Sequence, residues 1–251
     1  MNYTISEDFV LPSLGKVYRD KVVNPNVRLR TMTTEEEMLR LSHSERPYKL
    51  LCDMIENCIV GDKPGISVYD MCLQDYQYLL HKLRVVTYGP EYEIKTICRW
   101  CGAPNIMKVD LDKMPVKEYT DDLEQYFEFT LPRSQNIIGL KLQTPRSADD
   151  LSIKIKEFKR KTPDAADPSL LYTIKSLVNT IDGQIYDPVR LDSWARKLPM
   201  ADTNCILKNA KTINNSFGID TNISVECKEC GVDYDTPFRI TSEFFGPGVD
   251  A

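Results

Sequence analysis

The sequence predicts an α+β fold, mainly α-helical, with a four-cysteine module made by two distant β-hairpin knuckles. Three observations predict it. Two matched tetrapeptides, Cys98-Arg99-Trp100-Cys101 and Cys227-Lys228-Glu229-Cys230, are each followed at once by glycine, Gly102 and Gly231. Each is flanked by stretches that alternate like strands: Tyr92 to Ile97 and Ile106 to Leu111 around the first, Ile223 to Glu226 and Tyr234 to Ile240 around the second. Most other periodic stretches repeat at three- and four-residue steps, as amphipathic helices do.

Each half reads as a hairpin whose tip is a Cys-x-x-Cys-Gly turn. The glycine supplies positive φ, so that backbone N–H groups can point at thiolate sulfur. Two such tips facing each other bring four thiolates to tetrahedral reach. That makes a closed, zinc-ribbon-like structural site, with Cys98, Cys101, Cys227 and Cys230 as ligands and Zn2+ as cofactor. A lone Cys-x-x-Cys also fits a redox pair or chance, but the repeated glycine and strand context favour one shared ion. The spacing is long. Stretching the connection from about 15 to about 125 residues costs only ~2 kcal/mol in closure entropy. Zinc in small thiolate sites contributes ~10–16 kcal/mol apparent, so the metal wins.

With 251 residues, 42% of them hydrophobic and 27% charged, the chain can bury one large core or two small ones. A net charge of −5 argues against bulk nucleic-acid binding, which needs basic surface to displace counterions. No apolar run approaches the ~18 residues of a membrane span, and Met1-Asn2-Tyr3-Thr4 begins nothing like a signal peptide. Folding in a reducing cytoplasm is expected. The further cysteines Cys52, Cys58, Cys72 and Cys205 fall on apolar helix faces and read as small buried hydrophobes.

Five segments follow in order. Residues 1–30 form an extended N-terminal arm interrupted at Pro12 and Gly15, either a strand packed on the core or a docking arm. Residues 31–90 form a helical unit. Thr33 and Thr34 precede Glu36 and Glu37 at capping-box spacing, and Pro47 opens a second helix. Ser67 to Thr87 carries the strongest helical pattern, with Leu79, Leu80, Leu83 and Val86 inward and His81 on the polar side as a surface histidine. Residues 91–111 plus 219–243 make the discontinuous cysteine module.

Residues 112–218 form an inserted region. It holds a hairpin over 125–144 turning at Arg133 to Asn136, then a basic helix over Leu151 to Lys161 with a solvated face. Asp167-Pro168 and Asp187-Pro188 start further helices, the first running through Leu170 to Ile181. Another helix carries Ile206, Leu207, Ala210 and Ile213. The acidic pairs Asp121-Asp122 and Asp149-Asp150 read as caps and solubilising charge. Residues 244–251 are an aromatic C-terminal tail, in which Phe244 and Phe245 either close the core or anchor a partner.

No nucleophile elbow, phosphate loop, dinucleotide fingerprint or His-Glu-x-x-His occurs, and the histidines are His43 and His81 alone. A four-thiolate zinc offers no open position to activate water. No catalytic residue set emerges, and the expectation is a non-enzymatic protein.

The ordered features resemble the T4-like bacteriophage baseplate proteins, the hub subunit and hub assembly proteins of contractile-tailed phages. The resembling residues are Leu11-Pro12-Ser13-x-Gly15-x-x-Tyr18, Val27 to Glu36, Asp75-x-x-Tyr78-Leu79-Leu80-x-x-x-Arg84-x-x-Thr87-Tyr88-Gly89 and the first Cys-x-x-Cys. Trp194-x-x-x-Leu198-Pro199, Phe217 to Asp220, the second Cys-x-x-Cys and Phe244-Phe245-x-Pro247 continue it. Residues 112 to 190 carry no recognisable match. The resemblance implies a non-catalytic, chaperone-like assembly factor or hub component that contacts other hub and tail proteins. It implies the infected host cytoplasm during assembly as the location, with the virion tail baseplate as the second. A zinc-ribbon nucleic-acid binder is the alternative, supported by Arg99-Trp100 and Lys228 at the tips. Net charge and the lack of a clustered basic and aromatic surface count against it.

Overall fold

The computed structural model describes residues 5–18, 21–237 and 242–245. Among the described residues, eight α-helices are interleaved with small antiparallel sheets of two or three strands, an α+β architecture. The arm begins as a regular strand. β1 (Ser6–Val10) pairs with β2 (Asn26–Arg30), placing Phe9 opposite Val27. Alternation along β2 sends Val27 and Leu29 into the core. Between the strands, Leu11 and Ser13 are fully buried, so this segment packs on the core instead of standing out as a docking arm.

α1 (Thr34–Leu41) opens with the expected capping box: Thr33 Oγ1 accepts the Glu35 N–H, and Glu36 accepts the Thr33 N–H at 2.8 Å. Arg30 binds the same Glu36 through two nitrogens and holds its carboxyl down to about 2. α2 (Pro47–Cys58) has no capping side chain of its own at Arg46. Its free N–H groups are taken from a distance: Asp149 accepts from Tyr48 N–H at 3.3 Å and Lys49 N–H at 3.1 Å, and from the Tyr69 hydroxyl at 3.0 Å. Asp149 is therefore a cap, as expected, but for another helix and buried, which overturns its reading as solubilising charge. β3 (Ile59–Val60) then joins β2.

The strong helix starts later than its periodicity suggests. Val68–Asp70 is a single 3-10 turn, Met71 and Cys72 are extended, and α3 runs over Leu73–Tyr88. Glu56 accounts for the break by accepting the Ser67 hydroxyl and the Val68 N–H, both at 2.7 Å. Gly89 at φ +85° ends α3. The helix is enclosed on most sides, and that overturns the surface assignment of His81, which is 1% exposed. Its ring stacks on Phe244 at 6.2 Å. Phe244 and Phe245 are themselves fully buried, and Arg84 Nε donates to the Phe244 carbonyl at 2.8 Å. The two rings close the core and do not stand free as a partner anchor; residues 246–251 lie outside the described residues.

Neither His81 ring nitrogen has a hydrogen-bond partner among the described residues. Burial pushes its pKa down to about 4, Lys82 and Arg84 adding to the effect and Asp112 opposing it. The folded value lies below the unfolded ~6.5, so this group's contribution is complete above pH ~6.5 and lost as pH falls through about 4. The total is roughly 3 kcal/mol. In urea melts, wild type is expected to lose up to roughly 3 kcal/mol relative to His81→Phe between pH 7 and pH 4. Parallel pH profiles would refute the assignment.

β4 (Glu91–Ile97) and β5 (Pro104–Asp110) form the first cysteine hairpin. β6 (Val116–Lys117), α4 (Glu124–Phe127), β7 (Glu128–Thr130) and β8 (Ile137–Leu140) follow; β7 and β8 pair as a hairpin shorter than the expected 125–144, because Gln125 to Phe127 are helical. α5 (Pro145–Lys161) is the basic helix and α6 (Ser169–Leu177) the next. The helix expected to reach Ile181 stops at Leu177, and β9 (Val178–Ile181) joins the edge of β8, with Ile138 opposite Ile181. Ile174, Leu177, Val178 and Ile181 satisfy helical spacing, but Val178, Thr180 and Ile181 are β-branched and the neighbouring strand edge decides. α7 (Pro188–Arg196) starts on the Asp187 cap, and α8 (Met200–Ser216) leads to β10 (Gly218–Ile219), which pairs with β6. β11 (Asn222–Glu226) and β12 (Asp233–Pro237) form the second cysteine hairpin; residues 238–240, expected to extend it, lie outside the described residues.

Two large apolar clusters result. One gathers Leu11, Leu29, Ile55, Leu79, Leu83 and Phe244; the other gathers Leu131, Ile138, Ile174, Ile206 and Phe217. A third, small cluster holds Cys98, Val225, Cys227 and Tyr234. No helix among the described residues is long and apolar enough to cross a membrane.

Candidate metal centre

The two knuckles are built alike. In the first, Gly102 N–H donates to the Cys98 carbonyl at 3.0 Å and Cys98 N–H to Ala103 at 2.9 Å. In the second, Gly231 N–H donates to Cys227 at 2.8 Å and Cys227 N–H to Val232 at 3.1 Å. Gly102 and Gly231 sit at φ +75° and +67°, where a side chain would find open space but a strained backbone. The glycines answer a conformational need, not a steric one.

All four expected sulfurs meet, within 4.8 Å of one another. Cys98 and Cys230 are 3.8 Å apart, Cys101 and Cys227 3.6 Å. A tetrahedron with metal–sulfur bonds of ~2.3 Å has edges of about 3.8 Å, so the donor set fits a four-thiolate ion. Cys98 and Cys227 are buried; Cys101 and Cys230 face solvent.

The electrostatics fit as well. Backbone N–H groups of Cys230 and Glu229, with the Asn105 amide, hold the Cys227 thiol down to about 6. The Cys98 thiol is also lowered, chiefly by the Cys101 N–H. At Cys230 the Val232 N–H pulls the same way, but burial and the sulfurs of Cys227, Cys101 and Cys98 push the group up to about 12. Four sulfurs this close repel one another once deprotonated, and a divalent cation removes that repulsion.

The other cysteines stay apart from the cluster. Cys52, Cys58 and Cys72 are buried, and burial raises their thiols, Cys58 to about 12; Cys205 is only half-buried. Sequence reasoning missed Asn105, Thr96 and Tyr234, which link the hairpins beside the sulfurs. A signal existed: Asn105 occupies the inward phase of β5, shared with Met107, where an apolar residue is the norm.

Fold and centre together define a helical α+β protein whose distant hairpins meet at a cluster of four thiols able to hold a metal ion. The family model of the T4 bacteriophage base plate protein matches residues 2–246, and the chain belongs to that family. No curated protein and no solved structure matches it.

Proposed function

We propose that this chain is a baseplate hub subunit or hub assembly factor, non-enzymatic and chaperone-like, acting through contacts with other hub and tail proteins. The match to the baseplate family over residues 2–246 carries the reading. Its setting is the host bacterial cytoplasm during assembly and the tail baseplate of the virion.

Cys98, Cys101, Cys227 and Cys230 would hold one structural zinc ion, which offsets the repulsion among the thiolates and locks the knuckles together. The module of residues 91–111 plus 219–243 then acts as a clasp between the helical unit 31–90 and the inserted region 112–218. Ile97 and Trp100 remain outside at its tip, Trp100 at 63% exposure, available to a partner.

Affinity capture of the tagged chain from infected cells, with mass spectrometry of the eluate and of purified particles, tests this. Enrichment of hub and tail proteins is expected, and the particle measurement separates subunit from transient factor. Capture of nucleic acid with a steep salt dependence, without baseplate proteins, would replace the reading.

A further inference from the structure

Asn105 and Tyr234 stand at matched positions of the internal repeat, each four residues beyond the second cysteine of its knuckle. They meet between the hairpins, Asn105 Nδ2 donating to the Tyr234 hydroxyl at 3.4 Å. The symmetry ends there. The Tyr234 hydroxyl pairs with Thr96 Oγ1 at 2.7 Å, whereas Asn105 turns to the opposite knuckle. Its amide nitrogen also donates to Cys227 Sγ at 3.6 Å and to the Ala103 carbonyl at 3.2 Å, and its oxygen accepts the Lys228 N–H at 3.0 Å. The Lys228 N–H requires an acceptor, and that fixes the amide orientation with the NH2 group toward sulfur. The side chain, 2% exposed, therefore grips the second knuckle from the first at both a ligand sulfur and the next peptide unit.

We propose that Asn105 is the positioning residue of the metal centre. It docks the Cys227 knuckle onto the Cys98 knuckle and donates to the Cys227 sulfur, so the four donors stand arranged before the ion arrives. This rests on the zinc reading above. Groups that hydrogen-bond metal ligands fix ligand geometry, and their loss typically weakens metal affinity ~10–100-fold.

The test uses the full chain, titrated with Co2+ and then with Zn2+ against a chromophoric chelator. Wild type is expected to bind one tetrahedral Co2+ with thiolate charge-transfer absorption. Asn105→Ala is expected to bind ~10–100-fold more weakly. Asn105→Asp keeps an acceptor for Lys228 but has no donor for sulfur, and should lose at least as much. Tyr234→Phe removes one tie between the hairpins but leaves the sulfur donor, and should lose clearly less affinity than Asn105→Ala.

Wild-type affinity in Asn105→Ala or Asn105→Asp overturns the proposal. So does a loss in Tyr234→Phe as large as in Asn105→Ala, because the network would then be holding hairpins in general. If Asn105→Ala does not fold, Asn105→Asp decides. A wild type that binds neither ion removes the zinc reading itself, a result distinct from the others.

Discussion

Replacing Cys101 by serine is expected to abolish stoichiometric metal and lower Tm by roughly 10 °C. Cys101 is exposed, so the substitution opens no cavity and reports on the ion. A site with free zinc at about 1,000 times its Kd stabilises the native state by about 4 kcal/mol. In a chain of this size each kcal/mol moves Tm by ~2–4 °C. A strong chelator should reproduce the shift in wild type and do nothing further to the variant. Hydrogen exchange should show the opening concentrated in 91–110 and 222–237, because these hairpins contribute only Ile94 to the buried core of the two large apolar clusters. Purified wild type without metal, melting with Cys101→Ser, would end the account of the clasp.

The second large effect is expected at Asp75. This fully buried carboxylate accepts from Ser13 N–H at 3.0 Å, Ser13 Oγ at 2.5 Å and Tyr18 Oη at 2.6 Å. Tyr18 Oη in turn accepts the Cys72 N–H at 3.1 Å. Through one side chain, α3 thus holds the turn that follows β1. Burial raises the Asp75 pKa against the opposing pull of Ser13 and Tyr18, and burial likewise raises that of Tyr18. Asp75→Ala leaves both Ser13 donors without that acceptor and the Tyr18 hydroxyl with only the Cys72 sulfur at 3.4 Å, at about 1–3 kcal/mol each before relaxation. Destabilisation by about 3–5 kcal/mol is expected in denaturant melts. Asp75→Asn should cost about half, since its single oxygen can still serve two of the three donors. A loss under about 1 kcal/mol in Asp75→Ala would show that the N-terminal turn is held by apolar contacts alone.

Local chemistry was legible wherever it is self-contained. Thr33 with Glu36 caps α1 as its spacing dictates, Pro47 and Asp187-Pro188 open helices, and both Cys-x-x-Cys-Gly tips fold alike. The β-hairpin turning at Arg133 to Asn136 was also readable. Failures came where a neighbour decides. Val178 to Ile181 satisfies helix and strand patterns equally, and the open edge of β8 claims it. His81 sits on the formally polar side of α3, yet Phe244 from the far end of the chain covers it. Asp149 caps a helix about a hundred residues away, which no local window reveals.

The amino-acid sequence by itself determined the four sulfurs and the turns that present them, because thiolate spacing and positive-φ glycine act within five residues. It also determined most helix starts, through caps equally local. Tertiary structure alone decided that Asn105 joins the two knuckles and which polar side chains of α3 are buried. The reason is physical. A capping bond is completed by residues adjacent in the chain, whereas burial and long-range hydrogen bonding depend on whichever surface arrives from elsewhere.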